Sequence, residues 1–204
     1  MSSTMKPHHE AMRMQRWTIV MLSLLVSLAG CTEADDLVGE EPVVTNEEPL
    51  VNSFPIWNGT DHANTTLDSS AFANRSYLAY FSAPWCAHCE STLDAYDSII
   101  PNGSIAIFSM EGREEYANMS EWHNQTETNL NRTFDRPFIL HPELAKEVRV
   151  QSIPHAVFVN AQGYAFHVEI GKETNLTYIQ EVWSATESAF FSPDDGWNKH
   201  IDNG

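Results

Sequence analysis

The stretch YFSAPWCAHCESTLDAY, residues 80–96, holds Cys86 and Cys89, two of the three cysteines in the chain, separated by two residues. An apolar run, SYLAYFSA (76–83), leads into it with the aromatic and aliphatic content of a buried strand. Beyond it, Cys89, Leu93, Tyr96 and Ile100 recur at helical spacing, so a helix is expected to begin near Cys86. SIAIFSM (104–110) reads as the next strand. Strand, helix, strand in this order favours a parallel pair joined by a crossover helix. Both cysteines then fall at the start of that helix.

The third cysteine is accounted for by the N-terminus. Residues 1–16 carry Lys6, Arg13 and Arg16 against one acid, Glu10, and are followed by the uncharged WTIVMLSLLVSLAG (17–30). A basic region before a short apolar run reads as a secretory signal, and the run falls short of the roughly 20 residues a membrane span needs. LAGC (28–31) resembles the lipobox of secreted lipoproteins, which implies cleavage before Cys31 and lipidation of its thiol. TEADDLVGEEPVVTNEEPL (32–50) has seven acids, no base and two prolines, and reads as a self-repelling disordered tether. The expected organisation is a signal over 1–30, a tether over 31–52, one domain over 53–192 and a polar tail over 193–204. The net charge of −17 leaves no basic patch for nucleic-acid phosphate.

With Cys31 assigned to lipid, Cys86 and Cys89 are left with each other. A disulfide across so small a loop stabilises a fold little. Zinc needs four ligands, and a two-cysteine half-site without a second half is incomplete. Redox chemistry is the reading these residues favour. At a helix start, unpaired backbone N–H groups and the helix dipole stabilise a thiolate on the first cysteine. Cys86 is therefore the expected nucleophile and Cys89 the resolving thiol. His88, between them, can donate to the Cys86 sulfur or set a positive charge beside it; it can equally be a passive surface residue. Stabilising the thiolate makes the disulfide more oxidising.

The remaining chain supplies a frame. FPIWNGTDHANTTL (54–67) suggests a hairpin turning at Asn58-Gly59. Residues 111–135 read as one or two helices anchored by Trp122 and Leu130, and ELAKEVRV (143–150) as a short helix. HAVFVNAQGYAFHVEIG (155–171) gives two strands joined at Gly163. Leu176, Ile179, Val182, Trp183 and Phe190 mark an amphipathic closing helix.

APWCAHC resembles the active-site motif of the thioredoxin-like superfamily and is similar to that of protein disulfide isomerases. A second segment, VRVQSIPHAVFVNAQG (148–163), resembles the superfamily's cis-proline segment. The resemblance covers roughly residues 76–191, with the hairpin extending it. It implies an α/β thioredoxin-like fold: a central mixed β-sheet flanked by helices, with an N-terminal hairpin and a helical insertion. The 64 residues between Cys89 and Pro154 suit membrane-anchored redoxin-type relatives, with residues 111–140 as the inserted segment. It further implies that Pro154 is cis and faces the cysteines, that Ile153 pairs with a substrate strand through its backbone, and that Trp85 shields the sulfurs. No metal or organic cofactor is implied. The partners implied are protein thiols or disulfides, a membrane or soluble redox partner, and the lipid membrane through Cys31.

Three positions depart from the superfamily's pattern. The buried acid often found six residues before the first cysteine is replaced by Tyr80. The helix glutamate used by some redoxin-type members is replaced by Thr92, while Glu90 is expected to face solvent. His155 stands where a threonine usually follows the proline, as a second imidazole near the site or as a partly exposed strand residue. The reading is an extracytoplasmic thiol–disulfide oxidoreductase, tilted by His88 towards an oxidase or isomerase. A reductase fed by a membrane electron carrier and a surface binding module without turnover stay open. Eight Asn-x-Ser/Thr sequons (Asn58, Asn64, Asn74, Asn102, Asn118, Asn124, Asn131, Asn175) stand against about two expected by chance. They suggest a glycoprotein at an archaeal cell surface, with a bacterial periplasm or a merely Asn-rich polar surface as alternatives.

Overall fold

The structure, a computed structural model, describes residues 53–193 and 196–197. The signal segment, Cys31, the acidic tether and most of the tail lie outside the described residues.

The chain opens with an antiparallel hairpin, β1 (Asn58–Thr60) and β2 (Thr66–Asp68). Its turn is not at Asn58-Gly59, which lie inside β1; the chain reverses over 61–65. There the Asp61 carboxylate accepts from the backbone N–H of Ala63 (2.9 Å) and Thr65 (2.8 Å), and Asn64 takes a left-handed φ of 64°. Short polar residues of this kind make a reversal without an Asn-Gly pair. Gly59 serves a close approach instead: a Cβ there would stand 2.6 Å from Cγ2 of Ile139.

Five strands form the central sheet in the order β5-β4-β3-β6-β7. β3 (Tyr77–Ser82), β4 (Ile105–Ser109) and β5 (Phe138–Leu140) run parallel, while β6 (His155–Val159) is antiparallel to β3 and β7 (Ala165–Ile170) to β6. Four α-helices accompany it: α1 (Ala87–Ile99), α2 (Tyr116–Leu130), α3 (Pro142–Glu147) and α4 (Leu176–Ser188). The mixed sheet and flanking helices agree with the expected class.

β3 is buried on both faces, and the period-2 alternation of its side chains divides the core. Leu78 and Tyr80 point to the face that packs Cys89, Leu93 and Tyr96 of α1, Met119 and Trp122 of α2, and Ile179 and Trp183 of α4. Tyr77, Ala79 and Phe81 point the other way, against Phe54, Trp57 and Phe72 of the N-terminal segment and Leu144 and Ala145 of α3.

The insertion is one helix rather than two, and its last residues, 138–140, form edge strand β5 instead of helix. Three residues are too few to show a strand period, so the hydrogen bonding to β4 decides it. Arg136 fastens this segment to α1. Its buried guanidinium donates to Asp97 (2.5 Å) and to the carbonyls of Pro101 (2.7 Å) and Ile100 (2.9 Å). It thereby satisfies carbonyls at a helix end that would otherwise lack partners. α4 stops at Ser188, so Phe190 lies beyond the helix and is exposed, as is Leu176 at its start. Within the expected tail, β8 (Phe191–Ser192) pairs with β9 (Gly196–Trp197). Among the described residues no helix is long and apolar enough to cross a membrane.

Candidate active site

β3 delivers the chain to the site through Ala83-Pro84-Trp85, with the N–H of Cys86 donating to the Ala83 carbonyl at 3.0 Å. Cys86 is the N-cap of α1, and no side chain caps the helix there. The first N–H groups of α1 are thus directed at the cysteine pair. Cys86 and Cys89 are joined in a disulfide, with Cys86 half-buried and Cys89 buried. Cys86 is the more exposed residue of the pair and Cys89 the shielded one.

His88 is exposed, and its carbonyl accepts from the hydroxyls of Ser91 and Thr92, both at 3.1 Å. Among the described residues its imidazole makes no ion pair or ring contact. Trp85 is 65% exposed at the lip of the site. Its indole N–H helps hold Glu111 down to about 2, after the larger effect of hydrogen bonds from Arg113.

The Ile153–Pro154 peptide bond is cis. Register puts it at the same end of the sheet as the cysteines: His155 pairs with Phe81, so the Pro154 loop and the loop to Cys86 meet the same end of neighbouring strands. Ile153 and Cys86 both pack against the α1-side core. The Pro154 carbonyl accepts from the Gly171 N–H at 2.8 Å, whereas no backbone hydrogen bond among the described residues engages Ile153.

His155 departs from expectation. Opposite residues of an antiparallel pair share a face, so its ring lies with Phe81, centroids 6.0 Å apart, on the face away from α1. The second imidazole is therefore not brought beside the sulfurs on the α1 side. It is buried, with Nδ1 unpartnered, and desolvation lowers its pKa.

The positions of the missing acids are occupied by neutral donors. Tyr80, fully buried beneath α1, donates its hydroxyl to the Cys89 carbonyl at 2.7 Å, and burial pushes the phenol well above its ordinary pKa. Thr92 is buried and spends its hydroxyl on the His88 carbonyl. Glu90, expected in solvent, instead turns into a cavity beside the disulfide that is lined also by Cys86, Cys89, Trp122, Gln125 and Asn129. Its Oε2 accepts from the Asn129 amide at 2.8 Å, and Asn129 in turn accepts from Gln125 at 2.7 Å. Its Oε1 is buried and has no partner. Sequence reasoning missed Gln125 and Asn129, since neutral polar residues on a polar helix carry no periodic signal.

No family model matches the chain, and no curated protein matches it. Solved structures do. The pneumococcal exposed lipoprotein thioredoxin of Streptococcus pneumoniae is similar at 18% identity and TM-score 0.51, covering 62% of this chain and 99% of that one. A thiol:disulfide interchange protein of the thioredoxin family from Chlorobium tepidum is similar at 15% identity and TM-score 0.53, covering 67% and 96%. A secreted disulfide oxidoreductase of Mycobacterium tuberculosis is similar at 14% identity and TM-score 0.50, covering 63% and 95%. At these identities the likeness is one of fold, and the fold of the described residues is thioredoxin-like.

Proposed function

We propose that the protein is a thiol–disulfide oxidoreductase that exchanges the Cys86–Cys89 disulfide and dithiol with protein substrates outside the cytoplasm. The observation that carries this reading is the disulfide itself. It is closed at the uncapped start of α1, with its first cysteine accessible and the Ile153–Pro154 loop at the same end of the sheet. Cys86 is the attacking thiol, favoured as thiolate by the helix N-terminus, and Cys89 is the resolving thiol. Pro154, in its cis linkage at the same end of the sheet, borders the substrate-facing side in this reading, and the unengaged backbone of Ile153 is suited to pair with an extended substrate segment. Trp85 screens the open side of the sulfurs. His88 biases the pair towards the oxidising direction by favouring the Cys86 thiolate.

Lipid anchorage through Cys31 and export rest on the sequence, and they accord with the exposed-lipoprotein and secreted descriptions of two similar structures. Glycosylation is part of the proposal with a qualification from local structure. Asn64, Asn74 and Asn131 have left-handed backbones, and Asn118 and Asn175 serve helix starts, so these five asparagines have conformational reasons of their own.

Insulin reduction and refolding of reduced ribonuclease, each with wild type and Cys86→Ser, test the exchange reading. Equal rates for the two proteins would sink it in favour of a binding module. Equilibration with glutathione buffers tests direction: a potential near about −270 mV or lower overturns the oxidising tilt and makes the protein a reductase. Mass spectrometry of the mature N-terminus tests Cys31, and an unmodified chain starting elsewhere removes the anchor.

A further inference from the structure

Glu90, whose Oε1 is buried and unpartnered, lines the same cavity as both cysteines. A buried carboxylate oxygen without a donor is unfavourable and uncommon. Its other oxygen is held by Asn129, which is itself oriented by Gln125, so the carboxylate is tied to α2 by one end and left open at the other. In the oxidised protein the cysteines offer no hydrogen to it. Reduction creates a Cys89 thiol in that cavity, a buried donor in need of an acceptor. The two needs are complementary. Tyr80 has no hydrogen to give Glu90, since its one hydroxyl hydrogen is committed to the Cys89 carbonyl.

We propose that Glu90 is the proton acceptor for Cys89, with Asn129 its positioning residue. The proposal rests on the exchange reading above. The cycle balances as follows. The Cys86 thiolate attacks a substrate disulfide, forming a mixed disulfide and releasing one substrate thiolate. The Cys89 proton passes to Glu90, and the Cys89 thiolate attacks the Cys86 sulfur. The Cys86–Cys89 bond forms, the second substrate thiolate leaves, and the proton on Glu90 goes to it or to solvent. Two electrons have moved from the enzyme dithiol to the substrate disulfide. In the oxidising direction every step reverses, and a protonated Glu90 returns its proton to the departing Cys89.

The surroundings suit a single carboxylate working alone. On α1 the next acid along the same face is Asp94, one turn away, and it is paired with Arg132 at 2.7 Å. The α2 residues lining the cavity, Trp122, Gln125, Thr126 and Asn129, are all neutral, and the loop leaving β3 adds no charge.

The test uses the reduced chain carrying Cys31→Ser, so that only two thiols remain, and 5,5′-dithiobis(2-nitrobenzoate), which reports two releases of thionitrobenzoate: attack by Cys86, then resolution by Cys89. Glu90→Gln is expected to slow the second release at pH 7 by about tenfold or more while leaving the first within about twofold. Its second step should also climb about tenfold per pH unit, as for an unassisted thiol below its pKa. Glu90→Asp should recover part of the rate, and Asn129→Ala should move the pH profile in the same sense. A second release in Glu90→Gln with the wild-type rate and profile overturns the proposal. So does an equal slowing of both releases, which marks a general structural defect. Should Glu90→Gln not fold, Asn129→Ala decides by the same two criteria. Absence of release from wild type overturns the exchange reading itself.

Discussion

The hydroxyl of Tyr80 donates a 2.7 Å hydrogen bond to the carbonyl oxygen of Cys89, tying the central strand β3 to the first turn of the helix that carries the disulfide. Tyr80 is fully buried, and desolvation keeps its phenol protonated far above neutral pH. The bond is therefore permanent, and the residue is a support rather than a base.

Tyr80→Phe keeps the ring and removes only this bond. The urea midpoint should fall by the equivalent of about 1 kcal/mol, the usual net value of a buried neutral hydrogen bond. The pH profile of exchange should stay where it was. A profile shifted in the variant would mean that the phenol takes part in proton transfer.

The two cysteines should fail differently. Cys86→Ser is expected to reduce turnover to background, because Cys89, the thiol left in the described domain, is buried away from substrate. Cys89→Ser should accumulate a mixed disulfide with substrate, visible as a mass adduct removed by dithiothreitol. An adduct trapped on Cys89 in the Cys86→Ser protein, with none in Cys89→Ser, would reverse the assigned roles.

Stability should depend on pH through one buried and two half-buried histidines. His62 stacks on His123 with centroids 3.7 Å apart and accepts from the Phe138 N–H at 3.3 Å. Burial lowers its pKa below 6.5, and the nearby His123 adds to the effect. His141 and His155 are lowered by burial as well. A depressed histidine binds its proton more readily when unfolded, so stability is complete above about pH 6.5 and is lost as pH falls towards the folded-state values. The urea midpoint should drop between pH 7 and pH 5. Carboxylates held low, such as Asp68 and Glu111, add their loss only in more acidic solution, below about pH 4.5. His62→Phe should flatten part of the slope between pH 7 and pH 5; an unchanged slope would assign it to the other two.

Gly59→Ala should destabilise by about 1–3 kcal/mol, because its Cβ would meet a branch of fully buried Ile139 that has no room to withdraw. Ile139→Leu removes that branch while keeping volume. In the double variant part of the loss should return, and strictly additive losses in thermal unfolding would argue against the contact.

The elements around the disulfide were legible in the sequence because their signals are local. Tyr77–Ser82 is apolar on both faces, and Cys89, Leu93, Tyr96 and Ile100 share one helical stripe, so β3, α1 and the cysteines at their junction follow from periodicity alone. The pairing of Cys86 with Cys89 followed from their spacing once Cys31 was assigned to the lipid anchor. Three-residue β5 was not legible, since distant β4 decides it, and the hairpin turn was displaced because Asp61 and Asn64 make the reversal while Gly59 serves the close approach of Ile139.

The site divides in the same way. Sequence determined where the thiol pair stands, because two cysteines at a helix start are a matter of covalent spacing and local periodicity. Tertiary structure alone decided what surrounds them. Strand register turned His155 away from α1. The packing of α2 against α1, secured by Arg132 and Arg136, brought Asn129 over a distance of 39 residues to hold Glu90 beside the sulfurs. A hydrogen bond between neutral and charged side chains so far apart leaves no period or motif in either segment, and only the folded chain brings the two together.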